Sequence, residues 1–274
     1  MNRFFLLTWA IITLGIPTLS AREPHAEIRH SRAIDGRDLS VTVYAPDGGG
    51  DGSAPAVVMV HGGGWTGGNP ELLRSAAEEF SARGFVCFVV EYRLAVKGST
   101  TIADSISDIQ DWVRWVQGEA GRLGVDPARL TILGESAGGH LAAAAVLFKD
   151  GVEVESLVLI NPVLNLGALD WISRVPGVTR ENAGDLSPIF HLRQGVPRTL
   201  IVHGIDDEVV PISQSREFAA AATALGNVVE LIELPGVRHA FFIPSYGSEE
   251  TRLASTAQVL SFLNAAGKGI PKTR

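Results

Sequence analysis

The stretch from Gly134 to His140, GESAGGH, lies directly between an apolar run (Leu130 to Leu133) and an Ala-rich run (Leu141 to Phe148). That setting predicts a strand, a very tight turn and a helix, with Ser136 at the apex of the turn. A serine held in such a strained backbone requires positions on either side without side chains to collide, and Gly134 and Gly138 supply them. The turn lifts the hydroxyl above the sheet edge, where the amides opening the next helix favour developing negative charge. G-x-S-x-G alone is a common string; the flanking strand and helix give it meaning.

The rest of the chain repeats the same alternation. Ala56 to Val60, Phe85 to Glu91, Ser156 to Ile160, Thr199 to Val202 and Val228 to Leu234 read as strands. Glu71 to Arg83, Thr101 to Arg122, Ser213 to Leu225 and Glu249 to Ala265 read as helices. Uninterrupted apolar strands alternating with helices predict an α/β fold, a mostly parallel central sheet with helices on both faces. His25 to His30 and Leu39 to Tyr44 predict an antiparallel hairpin at the edge, turning near Asp35-Gly36, and Asp126-Pro127 predicts a turn ahead of the nucleophile strand. At about 161–197 the periodicity fails around Trp171, Pro176, Gly177 and Gly184. A lid-like excursion is expected there, leaving from the carboxyl end of a strand, where open α/β sheets collect ligands.

Residues 1–20 differ in character from the remainder of the chain. Asn2 and Arg3 precede an apolar segment from Phe4 to Ile16, then Pro17 and small residues up to Ala21. This is the pattern of a signal peptide, leaving 21–274 as one catalytic domain exported to the periplasm or secreted. The segment is shorter than the roughly 20 residues a membrane span needs, so no stable membrane insertion is expected. Cys87 is the one cysteine and lies within an apolar run, which excludes an internal disulfide. A net charge of −7 argues against nucleic acid as a partner.

A serine hydroxyl near neutral pH needs a base within hydrogen-bond reach and a carboxylate to orient that base. Asp206 and Asp207 follow one late strand in VHGIDDEVVP, and His239 follows the next in PGVRHAFF. Serine, aspartate and histidine then hang from successive strand ends.

With HGGGW (His61 to Trp65) after the strand Ala56 to Val60, four motifs stand in order: HGGGW, GESAGGH, HGIDDEVVP and GVRHAFF. Together they resemble the α/β-hydrolase superfamily, its esterase and lipase branch related to hormone-sensitive lipase. The layout is similar to small exported carbohydrate esterases of the acetyl-xylan and feruloyl type. The resemblance places the acid on Asp207 rather than Asp206, because Val210 and Pro211 follow it in register. It implies an oxyanion hole of the Ala137 amide with amides of Gly63 and Gly64. It implies a serine carboxylesterase that hydrolyses short acyl esters, acetyl or feruloyl groups on carbohydrate included, through an acyl-enzyme on Ser136, with no cofactor and no metal. The expected partner is a small-molecule or polysaccharide ester.

Trp65 and Trp171 are candidates for stacking on a sugar or aromatic acyl group, with packing as the alternative for each. Seven histidines are present, yet His61, His140 and His203 fall inside these motifs without metal-ligand spacing, so structural hydrogen bonding is expected of them. Asp104, Asp108 and Asp111 are expected to be structural. An amide hydrolase of peptidase or arylformamidase type, and a non-catalytic binding protein on the same fold, are the competing readings.

Overall fold

The computed structural model describes residues 26–30, 39–47 and 52–266. The segment read as a signal peptide, the turn near Asp35-Gly36 and the tail from Gly267 lie outside the described residues.

The strands are β1 (Ala26–His30), β2 (Leu39–Tyr44), β3 (Ala54–Val60), β4 (Val86–Val90), β5 (Val125–Glu135), β6 (Ser156–Ile160), β7 (Arg198–Gly204) and β8 (Val229–Leu234). The α-helices are α1 (Arg74–Ser81), α2 (Ile102–Gly118), α3 (Ala120–Leu123), α4 (Ala137–Leu147), α5 (Ser213–Ala224) and α6 (Glu249–Ala266). Among the described residues the strands form an eight-stranded sheet in the order β1-β2-β4-β3-β5-β6-β7-β8. β1 and β2 pair antiparallel, as do β2 and β4, and every later pairing is parallel. The expected hairpin at the edge and the parallel body are both present.

Alternation along the strands divides the core. On β3, Ala56, Val58 and Val60 join a cluster with residues of α2, α4 and α5, while Val57 and Met59 join one with α1 and α6. Successive side chains point to opposite faces, so a strand buried on both faces must be apolar throughout. Helix α4 is buried along its whole length. An apolar helix without a polar stripe needs cover on all sides, and here the sheet, α2 and the 161–197 segment supply it.

Two boundaries differ from expectation. Asp126-Pro127 lies within β5, whose pairing with β3 shifts register between Ala54 and Ala56. The turn chemistry is still present locally, since Asp126 Oδ1 accepts from the Ala128 amide at 2.9 Å. The 161–197 segment, irregular in sequence, is anchored in the core by Leu164, Leu166, Leu169, Ile172, Val175 and Val178. Its backbone is also tied down: Gln214 Oε1 accepts from the amides of Leu164 and Asn165 at 2.8 and 3.0 Å. Apolar spacing set by 3₁₀ turns has no 3.6-residue period to detect.

Candidate active site

Strand β5 runs into α4 through Ser136, whose backbone is held at φ 53° and ψ −118°. The turn is closed by the Ser136 amide donating to the Ile160 carbonyl at 2.9 Å and the Ser136 carbonyl accepting from His140 at 3.1 Å. The glycines are needed for a measurable reason. A Cβ on Gly134 would lie 2.2 Å from the Gly138 carbonyl oxygen, and one on Gly138 would lie 2.2 Å from that of Val60.

Ser136 Oγ is 2.9 Å from His239 Nε2, and His239 Nδ1 is 2.6 Å from Asp207 Oδ2. Asp207 is buried on the loop after β7, and its other oxygen accepts from the amides of Val209 and Val210 at 2.9 and 2.8 Å. Burial alone would raise this carboxyl's pKa. Hydrogen bonds from His203 and His239, the charge of His239 and the Val210 amide outweigh burial and hold it well below the usual carboxylate range. An ionised Asp207 fixes the proton of His239 on Nδ1 and leaves the Nε2 lone pair facing the serine hydroxyl. Asp206, exposed beside it, has no part in this chain of contacts.

The HGGGW loop leaves β3 alongside the serine, with Gly63 at φ 123° and Gly64 at φ 59°. Gly67 closes it by donating to the Gly63 carbonyl at 3.0 Å, and Ala95 donates to the Trp65 carbonyl at 2.8 Å. His61 braces its base: Nδ1 donates to the Gly62 carbonyl at 2.7 Å, and the ring stacks on Tyr92 at 4.4 Å. Ala137, as the first residue of α4, carries an amide without an intrahelical acceptor. Ser136, His239, Asp207 and the glycines of the HGGGW loop therefore meet at the carboxyl ends of β3, β5, β7 and β8.

The BD-FAE family matches residues 41–162, from β2 through the nucleophile elbow to the end of β6. Esterase LipU of Mycobacterium tuberculosis is 30% identical over 226 residues, covering 70% of this chain and 71% of its own. The chain belongs to the esterase and lipase family of α/β-hydrolases. Among solved structures, Thermogutta terrifontis esterase 2 phosphoramylated by tabun matches this chain with a TM-score of 0.81 at 30% identity, covering 92% of this chain and 98% of that one. Esterase LipC of Mycobacterium tuberculosis is 28% identical over 244 residues, or 77% of this chain. The chain spans 58% of the length of LipC and 50% of that of LipM.

His203 and His140 make the structural hydrogen bonds expected of them, with partners that the sequence does not announce. His203 is fully buried under Asp207; its Nδ1 accepts from Ser215 Oγ at 2.6 Å. Its Nε2 lies 2.9 Å from the Val210 carbonyl and 3.2 Å from Asp207 Oδ2. Both partners are acceptors, so Nε2 carries the proton. His140 is fully buried as well; its Nδ1 accepts from Trp65 Nε1 at 3.1 Å and its Nε2 donates to the Leu186 carbonyl at 2.7 Å. Glu135, between the elbow glycine and the nucleophile, is 1% exposed, and burial raises its carboxyl above the usual range.

Trp65 has no exposed surface, and its ring lies edge-on to His140 and tilted against Trp171 at 6.1 Å. Stacking on a ligand is thereby corrected to packing for Trp65, because neighbouring rings cover it. Trp171, half-buried beside it on the 161–197 segment, keeps part of its surface open. Asp108 is structural, its two oxygens gripping Arg93 at 2.8 Å each. Among the described residues no group of three or more His, Cys, Asp and Glu side chains is gathered to hold a metal, and no helix is long and apolar enough to cross a membrane.

Proposed function

We propose that the chain is a serine carboxylesterase that hydrolyses short acyl esters. The observation that carries this reading is the relay of 2.9 Å from Ser136 Oγ to His239 Nε2 and 2.6 Å from His239 Nδ1 to Asp207 Oδ2. His239 removes the hydroxyl proton as Ser136 attacks the ester carbonyl, and the amides of Ala137, Gly63 and Gly64 hold the tetrahedral oxyanion. The imidazolium returns its proton to the leaving alcohol. Water then repeats both steps on the acyl-enzyme, releasing the acid and regenerating Ser136.

Short acyl groups are favoured because the 161–197 segment, expected as a lid, is packed into the core by its leucines and valines. Solved forms of the Thermogutta esterase hold butyrate and propionate, acids of that size. Carbohydrate-borne acetyl or feruloyl esters suit an exported protein, a reading that the first twenty residues support.

The test is hydrolysis of p-nitrophenyl acetate, butyrate and palmitate, methyl ferulate and acetylated xylan by purified protein, with Ser136→Ala alongside. Activity should be greatest on the short esters, and the variant should lose on the order of 10⁶ in turnover while keeping its fold. A fluorophosphonate should label wild type at Ser136 and leave the variant untouched. Undiminished hydrolysis by the variant would remove the assignment.

A further inference from the structure

Three consecutive residues of the loop after β3 stand at positive φ: Gly63 at 123°, Gly64 at 59° and Trp65 at 62°. Glycine adopts that region freely, whereas a bulky side chain there is strained and stays only if its surroundings hold it. Trp65 is held at both ends. Its carbonyl accepts from the Ala95 amide at 2.8 Å, and its indole N–H donates to His140 Nδ1 at 3.1 Å, the ring lying edge-on to the imidazole at 5.3 Å. An indole can only donate, so Nδ1 is the acceptor and the His140 proton sits on Nε2, which donates to the Leu186 carbonyl at 2.7 Å. Neither residue has exposed surface, so solvent cannot stand in for either partner. His140 lies one turn beyond the nucleophile on α4, its amide donating to the Ser136 carbonyl at 3.1 Å. One imidazole thus joins the loop that carries Gly63 and Gly64, the helix that starts at the serine, and the 161–197 segment.

We infer that His140 is a positioning residue for the chemistry at Ser136, holding Trp65 in its strained turn and so setting the amides of Gly63 and Gly64 relative to the nucleophile. The inference rests on the esterase reading of the site. Without an acceptor for its indole, Trp65 relaxes toward negative φ and the Gly64–Trp65 peptide plane turns with it. Donors that stabilise an oxyanion act on the transition state more than on bound ester, so their misalignment lowers kcat and spares KM.

Substitutions separate this role from simple packing. Trp65→Phe keeps an aromatic ring and drops the N–H. His140→Leu removes the acceptor, whereas His140→Asn keeps one, because Oδ1 is bonded to Cγ as Nδ1 is, and gives up the donor to Leu186. Trp65→Phe and His140→Leu should each lower kcat about 20-fold, part of the roughly 10²–10³-fold loss that follows from removing an oxyanion donor outright, with KM moving less than about threefold. The double variant should lie within about threefold of either single one, since both remove the same bond. His140→Asn should melt at a lower temperature for the lost Leu186 contact yet keep kcat within about threefold of wild type.

A folded Trp65→Phe with near wild-type kcat, losses that multiply in the double variant, or an Asn variant that loses as much turnover as Trp65→Phe would each overturn the inference. The rate at which a fluorophosphonate labels Ser136 reads the same alignment without an ester. It should slow in Trp65→Phe by about the factor lost in kcat, and an unchanged rate would overturn the proposal. Slowed labelling of Trp65→Phe, where the wild type labels readily but hydrolyses no ester, would instead count against the esterase reading and leave the positioning role standing.

Discussion

The indole N–H of Trp65 donates to His140 Nδ1 at 3.1 Å, tying the oxyanion loop to the first turn of the nucleophile helix. This bond exists only while the imidazole is neutral, because a protonated Nδ1 cannot accept. Burial lowers the His140 pKa to about 4 despite the bond to Leu186. In the unfolded chain the ring titrates at about 6.5, so between these values the unfolded state holds a proton that the native state refuses. Stability is full above the unfolded value, falls as pH drops, and stops falling on this account near pH 4, where the native ring itself protonates. The decline should be on the order of 3 kcal/mol between pH 7 and pH 4. Urea unfolding at a series of pH values should show this slope in wild type and a flatter one in His140→Gln. Parallel slopes would show that the ring does not resist protonation.

Asp207 and Asp206 are neighbours with opposite surroundings, one buried under His203 and His239 and the other exposed. Asp207→Asn should lower kcat by roughly 10⁴ by allowing the wrong imidazole tautomer, while Asp206→Asn should stay within a few-fold. Steady-state kinetics on a p-nitrophenyl ester decides, and comparable losses from both would unseat Asp207 as the orienting acid.

The elbow, the strand alternation and the edge hairpin were legible because each rests on local pattern: Gly134 and Gly138 around Ser136, uninterrupted apolar runs, and Leu39, Val41 and Val43 alternating with Ser40 and Thr42. The convergence of Ser136, Asp207 and His239 was legible as an order of strand ends. The choice of Asp207 came from motif register, and its burial agrees with it. What stayed hidden depends on contacts between distant segments. Nothing near Trp65 announces that His140 and Trp171 will cover it. Glu135 reads as an arbitrary residue between glycine and serine until Gly62 and Asn161 are folded against it. The 161–197 segment reads as irregular because its buried leucines and valines follow successive 3₁₀ turns instead of a helical period.

His203 gives Asp207 a donor beyond His239, sharing its Nε2 proton between the Val210 carbonyl and Asp207 Oδ2. His203→Leu should remove that donor while leaving Ser136 and His239 in place. Asp207 then has fewer hydrogen bonds to its ionised form, and its pKa rises toward the ordinary carboxylate range. Turnover should fall about tenfold, and thermal stability should drop by roughly 1–3 kcal/mol for the unpaired Val210 carbonyl and Ser215 hydroxyl. Ser215→Ala, which leaves the Nε2 contacts intact, should cost stability with little change in kcat. An equal loss of turnover from both variants would mean that packing, not donation to Asp207, is what His203 supplies.

The glycines of the site divide by what a methyl group would meet. On Gly138 a Cβ would sit 2.2 Å from the Val60 carbonyl oxygen and 2.5 Å from that of His61, both backbone atoms at the centre of the sheet. Neither can move without separating β3 from α4, so Gly138→Ala should destabilise by at least ~3 kcal/mol, the upper range for overpacking a tight core. On Gly64 nothing lies within 4 Å, and the remaining penalty comes from its φ of +59°. That penalty is about 1–2 kcal/mol for a side chain in the left-handed region, so Gly64→Ala should fold. Its activity should nevertheless fall, because a loop relaxing from positive φ turns its amide away from the oxyanion position. Thermal unfolding and turnover measured on both variants separate the two causes. A stable, active Gly138→Ala would mean that strand and helix do not cross at the distance the elbow requires.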